Sequence, residues 1–182
     1  MRRRRGLQLR GRVEHANTAV VSDVSFVKLV LEARHYQPIW WQFILATRLR
    51  MGGIRPYGDS TEVPFNVRFF AGGPGSVRGF PLNRLGPKDA NDSPIGGESV
   101  FEGSIELRFP IVGSFSGVVF ADFGNVFATP FTYAVDNLRY TIGPGVRYHT
   151  PIGPLRLDVG FIVDRRTGED FGRVEFSIGQ AF

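Results

Sequence analysis

Phe101-Glu102-Gly103-Ser104-Ile105-Glu106-Leu107-Arg108-Phe109 is the stretch that decides the fold class. Phe101, Ile105, Leu107 and Phe109 occupy one set of alternate positions, and Glu102, Ser104, Glu106 and Arg108 occupy the other. Successive side chains of a strand point to opposite faces, so this is a strand with one apolar face and one charged face. Pro110 ends it close to a turn at Gly113. The same alternation predicts further strands over about 115–126, 138–148, 155–161 and 173–182 downstream, and over 7–13, 27–33 and 41–49 upstream. Trp40 and Trp41 open the last of these, where an interfacial aromatic belt would begin. Between about 52 and 97 the pattern is broken by Gly, Pro, Asn and Asp, which predicts a long loop.

About eight antiparallel strands, each roughly ten residues long, suit a tilted strand crossing a bilayer. A soluble sandwich alternates in the same way. Two features favour the membrane: the polar face is charged even in mid-strand, and the chain ends within an apolar alternation of Val174, Phe176, Ile178 and Phe182. The expected fold is therefore all-β, an antiparallel transmembrane barrel or part of one. No run of about 18 uncharged apolar residues exists, which excludes a transmembrane helix and leaves a barrel open.

The rest of the composition narrows the function. The 182 residues hold 23 glycines and 17 phenylalanines, a mixture suited to strands, tight turns and aromatic girdles. There is no cysteine, hence no disulfide, thiolate metal site or cysteine nucleophile. The net charge of +5 comes from arginines spread at strand spacing and not from one basic patch with stacking aromatics, which argues against nucleic acid. His15, His35 and His149 fall on separate strands at no ligand spacing, and no Ser-His-Asp or paired-carboxylate constellation stands out. No enzyme activity, metal or cofactor is expected. The run Arg2 to Arg5 resembles the start of a secretory signal, but the apolar stretch such a signal needs does not follow. An exported chain of this kind would carry its signal upstream, as the C-terminal piece of something longer.

The loop carries Arg68-Phe69-Phe70-Ala71-Gly72-Gly73-Pro74-Gly75-Ser76-Val77-Arg78-Gly79-Phe80, and 120–124 reads Phe120-Ala121-Asp122-Phe123-Gly124. Gly143-Pro144-Gly145-Val146-Arg147-Tyr148, the stretch from Pro151 through Ile152 to Asp158, and the ending Phe176-Ser177-Ile178-Gly179-Gln180-Ala181-Phe182 complete the set. Together these resemble the outer-membrane assembly and secretion barrels that include BamA, TamA and the two-partner secretion transporters, with wording nearer to TamA-like members. The resemblance implies a sixteen-stranded barrel behind periplasmic POTRA domains. Residues 1–182 would form its C-terminal half, with the loop at about 52–97 folded into the barrel. It also implies a non-enzymatic insertase or translocase in the bacterial outer membrane. Its partners would be outer-membrane lipid, the barrel-assembly machinery, unfolded barrel clients and a periplasm-spanning protein.

The site residues follow partly from the resemblance and partly from strand parity. Val77, Arg78, Gly79 and Phe80 match the signature tip, and Phe120, Asp122 and Gly124 match its companion element. If Val119, Ala121 and Phe123 face lipid, Asp122 faces the lumen, and Glu106 does so by the same parity, so Arg78 could sit between two carboxylates. Arg147, Arg156 and Asp158 are expected in a dispersed, solvated lattice on that face. Phe176, Ile178 and Phe182 would form the targeting strand read by β-augmentation. The glycine-rich loop is not a phosphate cradle, because no Lys-Ser/Thr pair follows it. Two other functions remain open: the carrier barrel of a patatin-like phospholipase, and a small structural eight-stranded barrel.

Overall fold

The computed structural model describes residues 5–18, 23–151 and 153–182; Arg2 to Arg4 of the basic run and Ile152 lie outside them. The described residues form one sheet of eight strands: β1 (Gly6–Ala16), β2 (Phe26–Pro38), β3 (Ile44–Pro56), β4 (Ser99–Val112), β5 (Phe115–Phe127), β6 (Arg139–Thr150), β7 (Gly153–Ile162) and β8 (Gly172–Ile178). Every strand pairs antiparallel with its neighbours in chain order, and β1 and β8 are the two ends of the sheet. Turns alternate with longer loops, so the β2–β3, β4–β5 and β6–β7 turns share one end of the sheet and the loops share the other.

The two faces are inverted relative to a water-soluble protein. Ile105, Val119, Ile142, Leu157, Val174 and Phe176 are exposed, whereas Glu102, Glu106, Asp122, Arg147, Arg156 and Asp158 are buried. Charged side chains are almost never buried in water-soluble domains unless paired, and an exposed apolar belt of this extent is stable only against lipid. Two rows of aromatics frame the belt. Phe101, Phe123 and Tyr140 adjoin on the loop side, with ring centroids 5.8 and 6.5 Å apart. Phe43 with Phe109 and Phe115 with Tyr148 adjoin on the turn side, at 5.7 and 4.8 Å. The steps Phe101 to Phe109, Phe115 to Phe123 and Tyr140 to Tyr148 are identical, about 27 Å along a strand and roughly 20 Å across a bilayer at a tilt of about 40°. Val119 lies midway between the rows, 52% exposed. Val119→Arg is expected to destabilise insertion by about 2–4 kcal/mol. Folding equilibria of the full-length protein in lipid vesicles measure this, and a change near zero would mean that this face does not meet the hydrocarbon.

The inner face is covered by residues 57–98, which join β3 to β4. Val63, Phe69, Ala71, Val77, Phe80 and Leu85 from this segment pack on Phe26, Ile54, Val100, Val126 and Ile162, which stand at the loop-side ends of β2, β3, β4, β5 and β7. The segment folds on itself through reciprocal Phe69 and Gly97 backbone hydrogen bonds of 2.8 and 3.0 Å and a Leu85 N–H bond to Ala71 O of 3.1 Å. An apolar core thus occupies the loop-side end of the interior, and Glu106, Asp122 and Asp158 lie below it.

Several boundaries differ from the sequence expectation: β1 and β2 run on to Ala16 and Pro38, and β4 passes through Pro110 to Val112 instead of ending there. Residues 52–56 belong to β3, not to the loop: Gly52 pairs with Val30 and Val100, and Ile54 is fully buried. The glycines at 52 and 53 resemble loop punctuation, but Phe69 and Phe131 press on them where side chains would stand. Trp40 and Trp41 lie on the β2–β3 turn and not on β3, Trp41 with φ 51°. Finally, β8 stops at Ile178. Gly179, at φ 100°, turns the chain while its N–H bonds Pro154 O at 2.8 Å, and Phe182 leaves the strand for the interior.

Candidate functional site

Tight turning at the tip of the long segment brings Val77 to Phe80 onto the inner wall. Val77 anchors the tip in the apolar core, and Phe80 lies beneath the Arg139 guanidinium, 4.9 Å from its centroid. Between them Arg78 points down into the charged part of the interior. It is 2% exposed, as is Asp122, and Glu106 is fully buried.

Arg78 uses its whole donor fork. Nε and Nη2 donate to Asp122 Oδ2 and Oδ1 at 2.7 and 2.8 Å, Nη1 donates to Glu106 Oε1 at 2.6 Å, and Nη2 also reaches Ser104 Oγ at 3.1 Å. The backbone N–H of Arg78 donates to Asp122 Oδ2 as well, at 3.1 Å. Below the guanidinium lies the Phe120 ring, with its centroid 3.5 Å away. A lysine could not reproduce this planar, bidentate and stacked arrangement.

Strand parity explains why these groups meet. Ser104 and Asp122 are register partners on β4 and β5, as are Glu106 and Phe120, so all four occupy adjacent inward positions. Ser104 Oγ donates to Asp122 Oδ1 at 2.6 Å and orients it. Glu106 gives its second oxygen to Arg108, whose Nε donates at 2.7 Å. Gly124 lies on the same face but away from Arg78, opposite Glu102.

Several participants exceed what the sequence indicated. Asp158 is a third carboxylate beside Arg78, at 3.6 Å, and is itself gripped by Arg147 at 2.6 Å and Arg156 at 3.0 Å. Arg147, Arg156 and Asp158 are all buried, so the solvated lattice expected for them is instead a desolvated extension of the site. Ahead of Arg78, Arg156 donates to Pro74 O from β7 at 3.1 Å, and Arg48 donates to Gly75 O from β3 at 3.0 Å. Ser76 Oγ donates to Glu102 Oε2 at 2.5 Å, and Glu102 also accepts from Arg48 and Arg50. The tip is therefore held on the inner face from β3 and β4 on one flank and from β7 on the other. All these residues share the inward parity of Glu106 or Asp122, which was the available signal. Which of them the loop would cover was not encoded in that periodicity.

Nearer the loop-side mouth, Arg139 donates to Asp164 at 2.5 Å and to both oxygens of Glu169, at 2.8 and 2.6 Å. The Arg139 hydrogen bonds hold the Glu169 carboxyl down at about 2. His15 is hydrogen-bonded to Tyr57, which also donates to Ala16 O, and His149 is hydrogen-bonded to Ser116.

The three residues expected in a targeting strand part company. Phe176 and Ile178 stand on the lipid-facing side of β8, both 63% exposed. Phe182 is buried, stacked on Tyr36 of β2 with centroids 6.3 Å apart and lying under Arg108 of β4 at 5.1 Å. Its carbonyl accepts from Tyr36 Oη at 2.8 Å. The tail thus crosses the interior at the turn side of the sheet.

Other proteins resemble this chain. The outer membrane protein assembly factor BamA of Nitratidesulfovibrio vulgaris is 31% identical over 176 residues, covering 93% of this chain and 22% of that protein. Sorting and assembly machinery component 50 homolog A of Xenopus laevis is 35% identical over 160 residues, covering 85% of this chain and 32% of that protein. The chain thus spans between a fifth and a third of these relatives. The crystal structure of BamA from Haemophilus ducreyi lacking POTRA domains 1-3 superposes with a TM-score of 0.72 at 22% identity, over 84% of this chain and 36% of that one, which shows a shared barrel fold. The family model described as the Omp85 superfamily domain matches residues 2–182, and the chain belongs to that superfamily.

Proposed function

We propose that this chain is the C-terminal half of an outer-membrane insertase barrel that helps other barrel proteins fold into the membrane, without covalent chemistry. The observation that carries the reading is the desolvated Arg78–Asp122–Glu106 lock, which seats a long loop inside a sheet whose outer face is apolar. A loop held at this depth blocks free diffusion through the interior, so clients would be handled at strand edges. The names of the matching assembly factors support the same reading. The partners it implies are outer-membrane lipid, unfolded barrel clients, the rest of an assembly machinery and a periplasm-spanning protein. Phe176 and Ile178 would carry the apolar side of the targeting strand, with Phe182 recognised before it tucks inward.

Depleting the full-length protein in its own host tests this. Folded, heat-modifiable forms of other outer-membrane barrels should fall, while periplasmic proteins persist. Undiminished folded barrels after depletion would overturn the proposal.

A further inference from the structure

β8 is the shortest strand among the described residues, seven residues against ten to fourteen for the others, so its ladder with β7 is short. Among the described residues, one polar contact joins a β8 side chain to the long loop: the Gly79 N–H donates to Glu175 Oε1 at 3.2 Å. Glu175 is buried and its other oxygen has no hydrogen-bond partner. Its register partner across β7 is another carboxylate, Asp158, whose oxygens are already taken by Arg147 and Arg156.

The loop tip reaches Glu175 because two glycines let it. Gly79 has φ 91°, and a Cβ there would stand 2.9 Å from Gly160 O; a Cβ on Gly160 would stand 2.6 Å from Gly79 N. The tip therefore rests directly on the β7 backbone, next to Arg173 and Gly172 of β8, and presents its N–H past β7.

From this we infer that Glu175 couples the seating of the long loop to the attachment of β8. With the loop seated, Gly79 satisfies one oxygen of a buried carboxylate. With the loop displaced, that bond between the loop tip and β8 is lost, and among the described residues β8 keeps only its short ladder with β7, so it parts from β7 more readily. The linkage is reciprocal: whatever pulls β8 away weakens the loop's seat, and whatever unseats the loop loosens β8. The inference rests on the insertase reading for its purpose, since a loosened terminal strand is the edge a client strand would pair with.

Hydrogen exchange of the full-length protein in lipid nanodiscs tests the coupling with three variants. Glu175→Ala should speed exchange of the β8 amides and of Gly79 by up to roughly tenfold, the scale of one hydrogen bond. Glu175→Gln keeps an acceptor for Gly79 and should stay close to the parent. Arg78→Lys, which acts from the loop side alone, should speed the same β8 amides. Unchanged β8 exchange in Glu175→Ala or Arg78→Lys would overturn the coupling, as would Glu175→Gln behaving like Glu175→Ala. If Glu175→Ala does not fold, the other two variants decide. These readings do not depend on any client, so normal barrel assembly after depletion would defeat the insertase reading alone.

Discussion

Arg78→Ala is expected to destabilise the folded barrel by about 3–5 kcal/mol, the range for breaking one side of a buried ion pair. An exposed pair would be worth about 1 kcal/mol or less. Burial of Arg78, Asp122 and Glu106 decides between the two regimes. The loss should not fall equally on the carboxylates. Glu106 keeps Arg108, at 2.6 Å, and Asp158 keeps Arg147 and Arg156. Asp122 keeps only neutral donors, the Ser104 hydroxyl and the backbone N–H of residue 78. The double variant Arg78→Ala/Asp122→Asn should therefore recover much of the loss, and Arg78→Ala/Glu106→Gln little of it. Urea unfolding of the full-length protein in micelles, followed by heat-modifiable mobility, measures all of these. Additive losses for Arg78 and Asp122 would show that the loop is held by other contacts.

Legibility of the fold in the sequence followed from one physical fact, the two-residue period of a strand with unlike environments on its two faces. In β4, β6 and β7 the environments are lipid and buried charge, and Glu106, Arg147 and Asp158 sit where their parity put them. Parity failed where a third environment intrudes. At the loop-side ends of β3 and β4 the inner face meets the folded-in segment, so Ile54 and Val100 are apolar on the charged side. That blurs the alternation and made residues 52–56 read as loop. The tail was misread for a related reason: the alternation through Phe176 and Ile178 extends to Phe182, but Gly179 breaks the strand without disturbing the hydrophobic spacing.

The site was legible to a different degree. Parity gave Asp122 and Glu106 a common direction, and the resemblance nominated Arg78, but nothing local distinguishes a solvated lumen charge from one capped by a distant loop. Burial of Arg156 and Asp158 depends on residues 74–79, about eighty positions away in the chain. Gly160 was invisible for the same reason. Within its strand it looks like one weak β-former, and its role is defined by the backbone that lands on it.

That contact yields the second large effect. Gly160→Val should improve the strand propensity of β7 and still unseat the loop, because the new Cβ would stand 2.6 Å from Gly79 N and 2.8 Å from Arg78 C. Neither side can yield cheaply: β7 is held by β6 and β8, and Arg78 is held through its guanidinium and its own N–H. Overpacking of this kind typically costs about 1–3 kcal/mol. A shift of the tip that breaks the bidentate geometry adds the loss of the buried pair, so the total should approach that of Arg78→Ala. Val159→Ala, one position away on the lipid-facing side, provides the control for β7 itself. Limited proteolysis of the embedded full-length protein reads the outcome directly, with cleavage within residues 57–98 expected for Gly160→Val and not for Val159→Ala. A Gly160→Val protein whose loop stays as protected as the parent's would show that β7 and the loop tip are not in backbone contact.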